Sequence, residues 1–402
     1  MQKDDRPFSF FLAGQGVLGL GESIRFIAVT VLIYNLTGSG ISAATGVALS
    51  ALPGILLSPF AGVLGDRSIE GKMLFRIDLI RFLVTPLFLL ADRIGYVYLL
   101  LVLISLLDVF YNPAKRKFIL GMTGRKDATK ANSMLTGVNG AAYLAGPLLT
   151  GYLTDRSRHT PAIMIAAGCC FVSALMTWLC MIAARKDQRP VRGREVVSSG
   201  NRDSGRTEFS LALKYCRTDN RITELLWIGV IIGFCTLSVN LSFYPYAFDL
   251  LKVTDRGWGL MISIYYGTNL IAMLLVRCGE KRLDGHEAKI FYSCLTVTSM
   301  IWLLYAFTGN YGVVLLLQLT EGTILAGCGI ILASRFQRII EKRYMARISS
   351  LNELFSSIGK LAGMACMVVI MRRLSFSEVF IFSSIIMLLF AGFGMIRSRK
   401  WL

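Results

Sequence analysis

Acidic residues occur deep inside long apolar runs of this chain. Glu22, Asp108 and Glu321 each lie well within such a run. On insertion scales a charge at the centre of a bilayer costs at least about 2.5–3.5 kcal/mol, so it needs a partner or a cavity. Burial also favours the neutral form of a carboxyl group. The three acids are therefore candidate sites for binding and releasing protons.

Each of these acids also has a purely structural interpretation. Glu22 and Arg25 are three residues apart, so they would form a self-neutralising pair on one helix. Asp108 would pair with a base on its own helix or a neighbouring one. Glu321 lies beside Gln318 and has no basic residue within one helical turn, which favours a protonated or cavity-facing carboxyl group. Both interpretations stay open for all three acids.

The apolar runs that contain these residues have the length of membrane spans. The chain has 402 residues, of which 54% are hydrophobic and 17% charged, whereas a soluble domain averages about 45–50% apolar and about 25% charged. The excess is concentrated in runs of roughly 20 residues, the length that crosses about 30 Å of hydrocarbon. The sequence therefore predicts a polytopic helical membrane protein. Its twelve predicted spans have the approximate limits 8–36, 41–65, 73–91, 95–113, 131–154, 161–185, 222–248, 257–278, 288–308, 311–333, 347–371 and 375–397.

Basic residues are concentrated in alternate loops of this arrangement. The net charge is +18, but the lysines and arginines lie in short loops between apolar runs, which is the positive-inside signature of a membrane protein. Nucleic-acid binding is therefore not expected. The opposite loops are short and poor in basic residues, so both termini are predicted to be cytoplasmic, in a multi-pass protein of the cell membrane.

Two segments of the chain recur in its second half. Residues 65–71 and 279–285 share the order glycine, acid, base, any residue, aliphatic residue, acid, glycine. Residues 134–146 and 351–363 also end alike, at nearly the same offset. Such repeats predict a duplicated membrane protein with a parallel internal repeat. The predicted organisation is an N-terminal six-helix bundle at 1–185, a polar cytoplasmic linker at 186–221 and a C-terminal six-helix bundle at 222–402.

The charged loop after span 2 resembles that of the major facilitator superfamily, which reads Gly-x-x-x-Asp-Arg followed by basic residues. The downstream acid and base in span 3 resemble the branch that contains macrolide-efflux, siderophore-export and lysophospholipid-transport proteins. The resemblance implies an all-α membrane protein with twelve transmembrane helices in two pseudo-symmetric six-helix bundles. It also implies a cytoplasmic gate, for which a structural ion cluster is the alternative. The matching residues are Gly62, Asp66, Arg67, Lys72, Asp78 and Arg81.

Glycine and proline residues in span 5 resemble the pattern associated with antiporters. Small residues in membrane spans permit close packing of helices, which is the role expected for them here. The residues concerned are Gly137, Gly146, Pro147 and Gly151.

Polar and aromatic residues in several spans are candidates for lining a substrate cavity. Pro245 frees a backbone carbonyl in span 7, and bent spans commonly line transporter cavities. Tyrosine near the membrane surface also serves as an interfacial anchor, so both roles stay open. The candidate cavity residues are Arg25, Asn240, Tyr244, Asn269, Gln318 and Glu353.

The resulting functional hypothesis is secondary active transport by alternating access. The leading version is proton-coupled export of a small organic or amphipathic compound, with Glu22, Asp108 and Glu321 as the coupling candidates. The alternatives are a metabolite or lysophospholipid transporter and a non-transporting receptor or scaffold. An enzyme is not expected, since the sequence shows no ATP-binding loop, nucleophile constellation or metal-ligand set. The expected partners are a small molecule, protons and the lipid bilayer. We expect a monomer without cofactor or metal.

Overall fold

The computed structural model describes residues 6–64, 70–154, 159–186, 220–283, 287–340, 345–373 and 375–397. Nearly all of these residues are helical, and eight helical segments among them are long and apolar enough to cross a membrane. The predicted all-α membrane fold is thereby confirmed. The α-helices are α1 Arg6–Thr37, α2 Gly40–Leu64, α3 Glu70–Val84, α4 Ile94–Thr154, α5 His159–Lys186, α6 Asn220–Pro245, α7 Asp255–Leu283, α8 Glu287–Phe307, α9 Tyr311–Ile339, α10 Met345–Arg373 and α11 Phe376–Arg397. A 3-10 helix, Thr85–Leu90, follows α3, and a π-helix, Tyr246–Leu250, follows α6.

Short turns with characteristic residues separate the helices. Gly38 has φ +63°, a left-handed conformation that glycine adopts without strain, and it ends α1 two residues before α2 begins. Asn310 caps α9, because its side chain accepts hydrogen bonds from the backbone N–H groups of Gly312 (2.9 Å) and Val313 (3.3 Å). Such short connections favour antiparallel neighbours, as expected for consecutive membrane spans.

The helix α4 contains both the fourth and the fifth predicted spans. It has 61 residues, and the stretch 114–130 that was predicted to connect the two spans is helical. Gln15 donates a hydrogen bond to Tyr111 (2.6 Å), while a Cβ atom on the adjacent Gly16 would lie 2.4 Å from Val138. A straight helix would separate Tyr111 and Val138 by about 40 Å. The helical run therefore folds back between these residues, and its two segments pack as separate spans.

Residues 1–198 and 253–263 form the first of two compact units. Its central helix is α1, which packs against α5 and α4, while α2 packs along the first segment of α4 and α3 packs against α5. Phe11 and Phe118 meet edge to face with ring centroids 5.0 Å apart in the buried core of this unit. The core therefore surrounds α1 and receives one face of each neighbouring helix.

Residues 199–252 and 264–402 form the second unit. Here α6 packs against α10 and α11, and α8 packs against α11 and α9. A cluster of buried aromatic rings joins these helices: Phe243 lies 5.1 Å from Tyr305, and Tyr246 lies 5.4 Å from Phe380, measured between ring centroids. The predicted linker at 186–221 lies almost wholly outside the described residues.

The repeated segments 134–146 and 351–363 make the same kind of contact, each in its own unit. A Cβ atom on Gly146 would lie 2.5 Å from the Ser23 hydroxyl group on α1. A Cβ atom on Gly363 would lie 2.3 Å from the carbonyl oxygen of Phe234 on α6, and Ser238 donates a hydrogen bond to the Gly363 carbonyl (3.0 Å). In both units the glycine lets its span approach the first helix of that half closely.

The other small residues of span 5 contact the start of α7, which belongs to the first unit. A Cβ atom on Gly151 would lie 3.0 Å from the backbone of Arg256, and one on Gly259 would lie 2.4 Å from the carbonyl oxygen of Pro147. Gly137 differs, because a Cβ atom there would meet nothing within 4 Å. Close packing in span 5 thus involves Gly146, Pro147 and Gly151.

Candidate functional site

The guanidinium group of Arg81 on α3 lies at the centre of a group of three acidic side chains in the first unit. Its Nη1 atom is 3.2 Å from Glu22 Oε1 and 3.2 Å from Asp78 Oδ1, and its Nη2 atom donates to Asp108 Oδ1. The Arg81 side chain is 3% exposed. We call these four residues the Arg81 cluster.

Three helices bring the Arg81 cluster together. Asp78 and Arg81 are three residues apart on α3, so they share one face of that helix. Glu22 reaches the cluster from α1 and Asp108 from the first segment of α4. The forked, planar guanidinium group presents its N–H donors in several fixed directions, which suits contact with several carboxylates at once.

A set of neutral polar side chains surrounds the innermost acid. Ser173 on α5 donates a hydrogen bond to Asp78 Oδ2 (2.7 Å), and the Tyr111 hydroxyl group lies 3.4 Å from the same oxygen. Gln15 in turn donates to the Tyr111 hydroxyl group. Asp78 is fully buried, and these donors satisfy the carboxylate oxygen that Arg81 does not contact.

The other two acids of the cluster are accessible. The side chain of Glu22 is 25% exposed and that of Asp108 is 39% exposed. The Arg81 guanidinium carbon lies 4.3 Å from the centroid of the Tyr111 ring, and Lys115 Nζ lies 5.7 Å from it, so two cations flank one aromatic ring. With all carboxylates ionised, the three acids outnumber Arg81, and Lys115 is the nearby cation that offsets part of the excess.

A second buried acid lies in the second unit. Glu321 on α9 accepts hydrogen bonds from Trp302 Nε1 (2.5 Å) and from the Tyr305 hydroxyl group (2.8 Å), both on α8. Glu321 is 5% exposed, and its two ring partners are fully buried. Within the described part of the chain, Glu321 forms no ion pair.

Comparison with known proteins identifies the family. The family profile described as Major Facilitator Superfamily matches residues 11–364. The chain belongs to the major facilitator superfamily. No curated protein sequence is significantly similar to this superfamily member.

Solved structures of transporters share the fold of this major facilitator protein. The nucleoside transporter NupG aligns with a TM-score of 0.71 at 12% identity over 98% of this chain and 99% of that one. A bacterial homologue of the iron transporter ferroportin, in an inward-facing state, aligns with a TM-score of 0.71 at 15% identity over 100% of this chain and 99% of that one. A bacterial homologue of the human lysosomal transporter Spinster aligns with a TM-score of 0.67 at 12% identity over 99% of this chain and 98% of that one. At these identities the likeness establishes the fold and leaves the substrate open.

The predicted coupling acids of this major facilitator protein lie in different environments. Glu22 and Asp108 pair with Arg81, a partner that differs from Arg25 on the helix of Glu22. Among the described residues Glu321 is hydrogen-bonded by two neutral donors and forms no ion pair, and Gln318, one turn earlier on α9, is also buried. The role of all three acids in proton coupling stays a prediction, and the arginine that Glu22 and Asp108 share was not among their predicted partners.

The predicted gate residues do not form one cluster among the described residues. Asp78 and Arg81 belong to the buried Arg81 cluster, whereas Lys72 is exposed near the start of α3. The remaining gate candidates fall at or beyond the edge of the structure's described ranges: Gly62 is in the last turn of α2, and Asp66 and Arg67 lie outside the described residues.

The predicted cavity residues are spread over both units. Asn240 on α6 is exposed and is hydrogen-bonded to Tyr265 on α7, whereas Tyr244 is buried. The structure places the others as follows: Arg25 is half-buried on α1, Glu353 is exposed on α10, and the side chain of Asn269 lies outside the described residues.

Several residues of both sites are neutral and were not predicted from the sequence. Gln15, Ser173 and Trp302 lie in apolar runs where nothing in the local pattern distinguishes them. Tyr111 could have been found, since it lies three residues after Asp108 and therefore shares its face of the helix. Within the described residues no group of three or more His, Cys, Asp or Glu side chains could hold a metal ion.

Proposed function

We propose that this major facilitator protein is a proton-coupled secondary transporter that exports a small organic or amphipathic compound by alternating access. The observation that carries the proposal is the Arg81 cluster, in which one buried guanidinium group is shared by a sealed acid and two accessible acids. Buried charges in a membrane protein mark ion and substrate pathways. The proposed branch is that of macrolide-efflux and siderophore-export proteins, because the spacing of Asp78 and Arg81 resembles the pattern of that branch.

The accessible acids are the proposed sites of proton exchange. A proton bound by Glu22 or Asp108 removes one ionic partner of Arg81, and the guanidinium group then interacts more strongly with the acids that remain ionised. Asp78 is sealed and hydrogen-bonded, so it holds Arg81 in place in either state. A single protonation thus changes which helices Arg81 joins, and such a change can favour one of two conformations.

The distribution of basic residues supports the proposed orientation. Arg and Lys are concentrated in the loops that would face the cytoplasm together with both termini. Export from the cytoplasm across the cell membrane is the proposed direction. A small-molecule substrate and protons are the proposed partners of a monomeric protein.

A substrate screen in everted membrane vesicles, with and without a protonophore, tests the proposal. The expected result is uphill accumulation of a compound that the protonophore abolishes. Asp108→Asn and Glu22→Gln should each prevent uphill accumulation while retaining downhill exchange. Asp92→Asn is the matched control, because Asp92 is exposed in the turn after the 3-10 helix and should behave as wild type.

Two outcomes contradict the proposal. Accumulation that persists in the presence of the protonophore would show that protons do not drive transport, and would favour the metabolite or lysophospholipid alternative. Normal uphill accumulation by a variant that carries both Asp108→Asn and Glu22→Gln would show that these acids do not couple proton movement to transport.

A further inference from the structure

The carboxyl group of Glu321 is buried without a cation. The Arg81 cluster provides a cationic partner for each of its acids, whereas the two hydrogen-bond partners of Glu321 are the neutral groups of Trp302 and Tyr305. The titratable groups that face Glu321 are tyrosines: Tyr305 on α8, Tyr265 on α7 and, beyond Tyr305, Tyr246 after α6. No charged side chain of the described residues compensates this carboxylate.

The partners of Glu321 fit its ionised form. The Trp302 Nε1–H group donates to one carboxylate oxygen and the Tyr305 hydroxyl group donates to the other. Donors of this kind stabilise a carboxylate, and low local polarity strengthens each bond. In Glu321 two opposing effects therefore act on one carboxyl group, since burial without a cation favours the neutral form and the two donors favour the charged form.

Gln318 supplies what the neutral form needs. It lies one turn before Glu321 on α9, on the same face, and its Oε1 atom is buried without a hydrogen-bond partner. A buried carbonyl oxygen without a donor is rare in folded proteins. A protonated Glu321 has an O–H group to donate, whereas the ionised form has none. Gln318 is therefore an acceptor that the ionised form leaves unused.

Two further polar side chains, Tyr265 and Asn240, belong to the neighbourhood of Glu321 in the second unit. Tyr265 is within electrostatic range of Glu321 and is hydrogen-bonded to Asn240. The side chain of Asn240 is exposed.

We propose that Glu321 is a second proton-binding site, separate from the Arg81 cluster, in which the carboxyl group exchanges hydrogen-bond partners as it titrates. The ionised form accepts from Trp302 and Tyr305. Uptake of one proton from water places an O–H group on Glu321 that donates to Gln318 Oε1, and release returns the proton to water. The role of this site in transport rests on the proposed function, but the binding of the proton does not.

Infrared difference spectroscopy of the purified full-length protein tests proton binding directly. Spectra recorded at acidic minus alkaline pH should show carbonyl-stretch bands of protonated carboxyl groups, to which the acids of the Arg81 cluster also contribute. Glu321→Gln should remove one of these bands, that of a buried carboxyl group. Glu378→Gln is the matched control, since Glu378 lies at the first turn of α11, where it accepts hydrogen bonds from Ser375. The control should retain the band.

Two further variants give shifts of opposite sign. Tyr305→Phe removes a donor to the ionised form, so the proton affinity of Glu321 should rise about tenfold, which moves the titration midpoint upward by about one pH unit. Gln318→Leu removes the acceptor of the neutral form, so the midpoint should move downward by about as much. If Glu321 had only a structural role, the two substitutions would not be expected to move a titration midpoint in opposite directions.

The outcomes separate this inference from the proposed function. The proton site is overturned if Glu321→Gln leaves the difference spectrum unchanged. It is also overturned if the midpoints move in the same direction in Tyr305→Phe and Gln318→Leu. A band that behaves as expected in a protein whose transport ignores the protonophore overturns the proposed function and leaves the proton site standing. If the infrared band behaves as expected and transport is abolished by the protonophore, both the proton site and the proposed function are supported.

Discussion

Replacing Arg81 with methionine should destabilise the first unit strongly, because the substitution leaves three carboxylates around a site with no guanidinium group. Methionine matches much of the length of the arginine side chain and adds no charge. The cost therefore comes from the acids that lose their partner, above all from Asp78, which is fully buried.

The magnitude follows from the burial of each acid. Removing one partner of a buried ion pair typically costs about 3–5 kcal/mol, since the other charge stays buried and uncompensated. Glu22 and Asp108 are left out of this figure, which applies to fully buried partners, because their side chains are 25% and 39% exposed. Arg81→Met should therefore lower stability by about 3–5 kcal/mol. For a unit of about 200 residues this corresponds to a fall in Tm of roughly 6–20 °C.

Thermal unfolding in detergent, followed by intrinsic fluorescence, measures the effect. Arg76→Met is the matched control, because Arg76 is exposed on the same helix and its loss should change stability by less than about 0.5 kcal/mol. Adding Asp78→Asn to Arg81→Met should restore part of the loss, since it removes the sealed charge. Arg81 favours the ionised acids, so its contribution is present at neutral pH and is lost as the acids take up protons. The deficit of Arg81→Met should therefore shrink on acidification.

The reasoning is refuted if Arg81→Met and Arg76→Met unfold at the same temperature at neutral pH. It is also refuted if Asp78→Asn makes the Arg81→Met protein less stable still. Either result would mean that the buried carboxylate does not depend on the guanidinium group.

Two further substitutions test packing and hydrogen bonding in each unit. Gly363→Val should destabilise the second unit and lower the yield of folded protein, because a Cβ atom there would lie 2.3 Å from the carbonyl oxygen of Phe234. The control is Gly392→Val, because a Cβ atom at position 392 would meet nothing within 4 Å. Equal yields of the two folded variants would show that Gly363 does not need to be small. Ser173→Ala removes the 2.7 Å hydrogen bond to Asp78 and should lower stability by about 1.5–3 kcal/mol; an unchanged Tm would show that water or another donor replaces the hydroxyl group.

The membrane fold could be predicted from the sequence because the bilayer imposes a simple rule on it. A span needs roughly 20 apolar residues, and the chain is divided into runs of that length. The helical connection at 114–130 was not predicted, since its basic residues indicate a loop in composition while the backbone remains helical. The repeat of residues 134–146 in residues 351–363 could also be found in the sequence. Its last glycines, Gly146 and Gly363, each lie close to the first helix of their own half.

The partners of the buried acids could not be predicted, for a physical reason. Arg81 was predicted to lie in span 3 and to belong to a cytoplasmic gate with the charged loop that precedes it in sequence. The helix α3 begins at Glu70, and eleven residues of helix carry Arg81 about 16 Å along it. Which face of α3 then meets Glu22 and Asp108 depends on the rotation of packed helices, and that rotation is set by contacts distant in sequence.

The central claim is that proton movement is coupled to substrate transport. Substrate-driven proton movement in proteoliposomes tests this claim most directly. With a substrate from the vesicle screen supplied as a gradient and no imposed pH difference, its downhill movement should drive protons in the opposite direction, read by a pH-sensitive dye. The wild-type protein should show this proton movement, and the variant with both Glu22→Gln and Asp108→Asn should move substrate without it. Substrate flux through the wild-type protein with no accompanying proton movement would contradict the account.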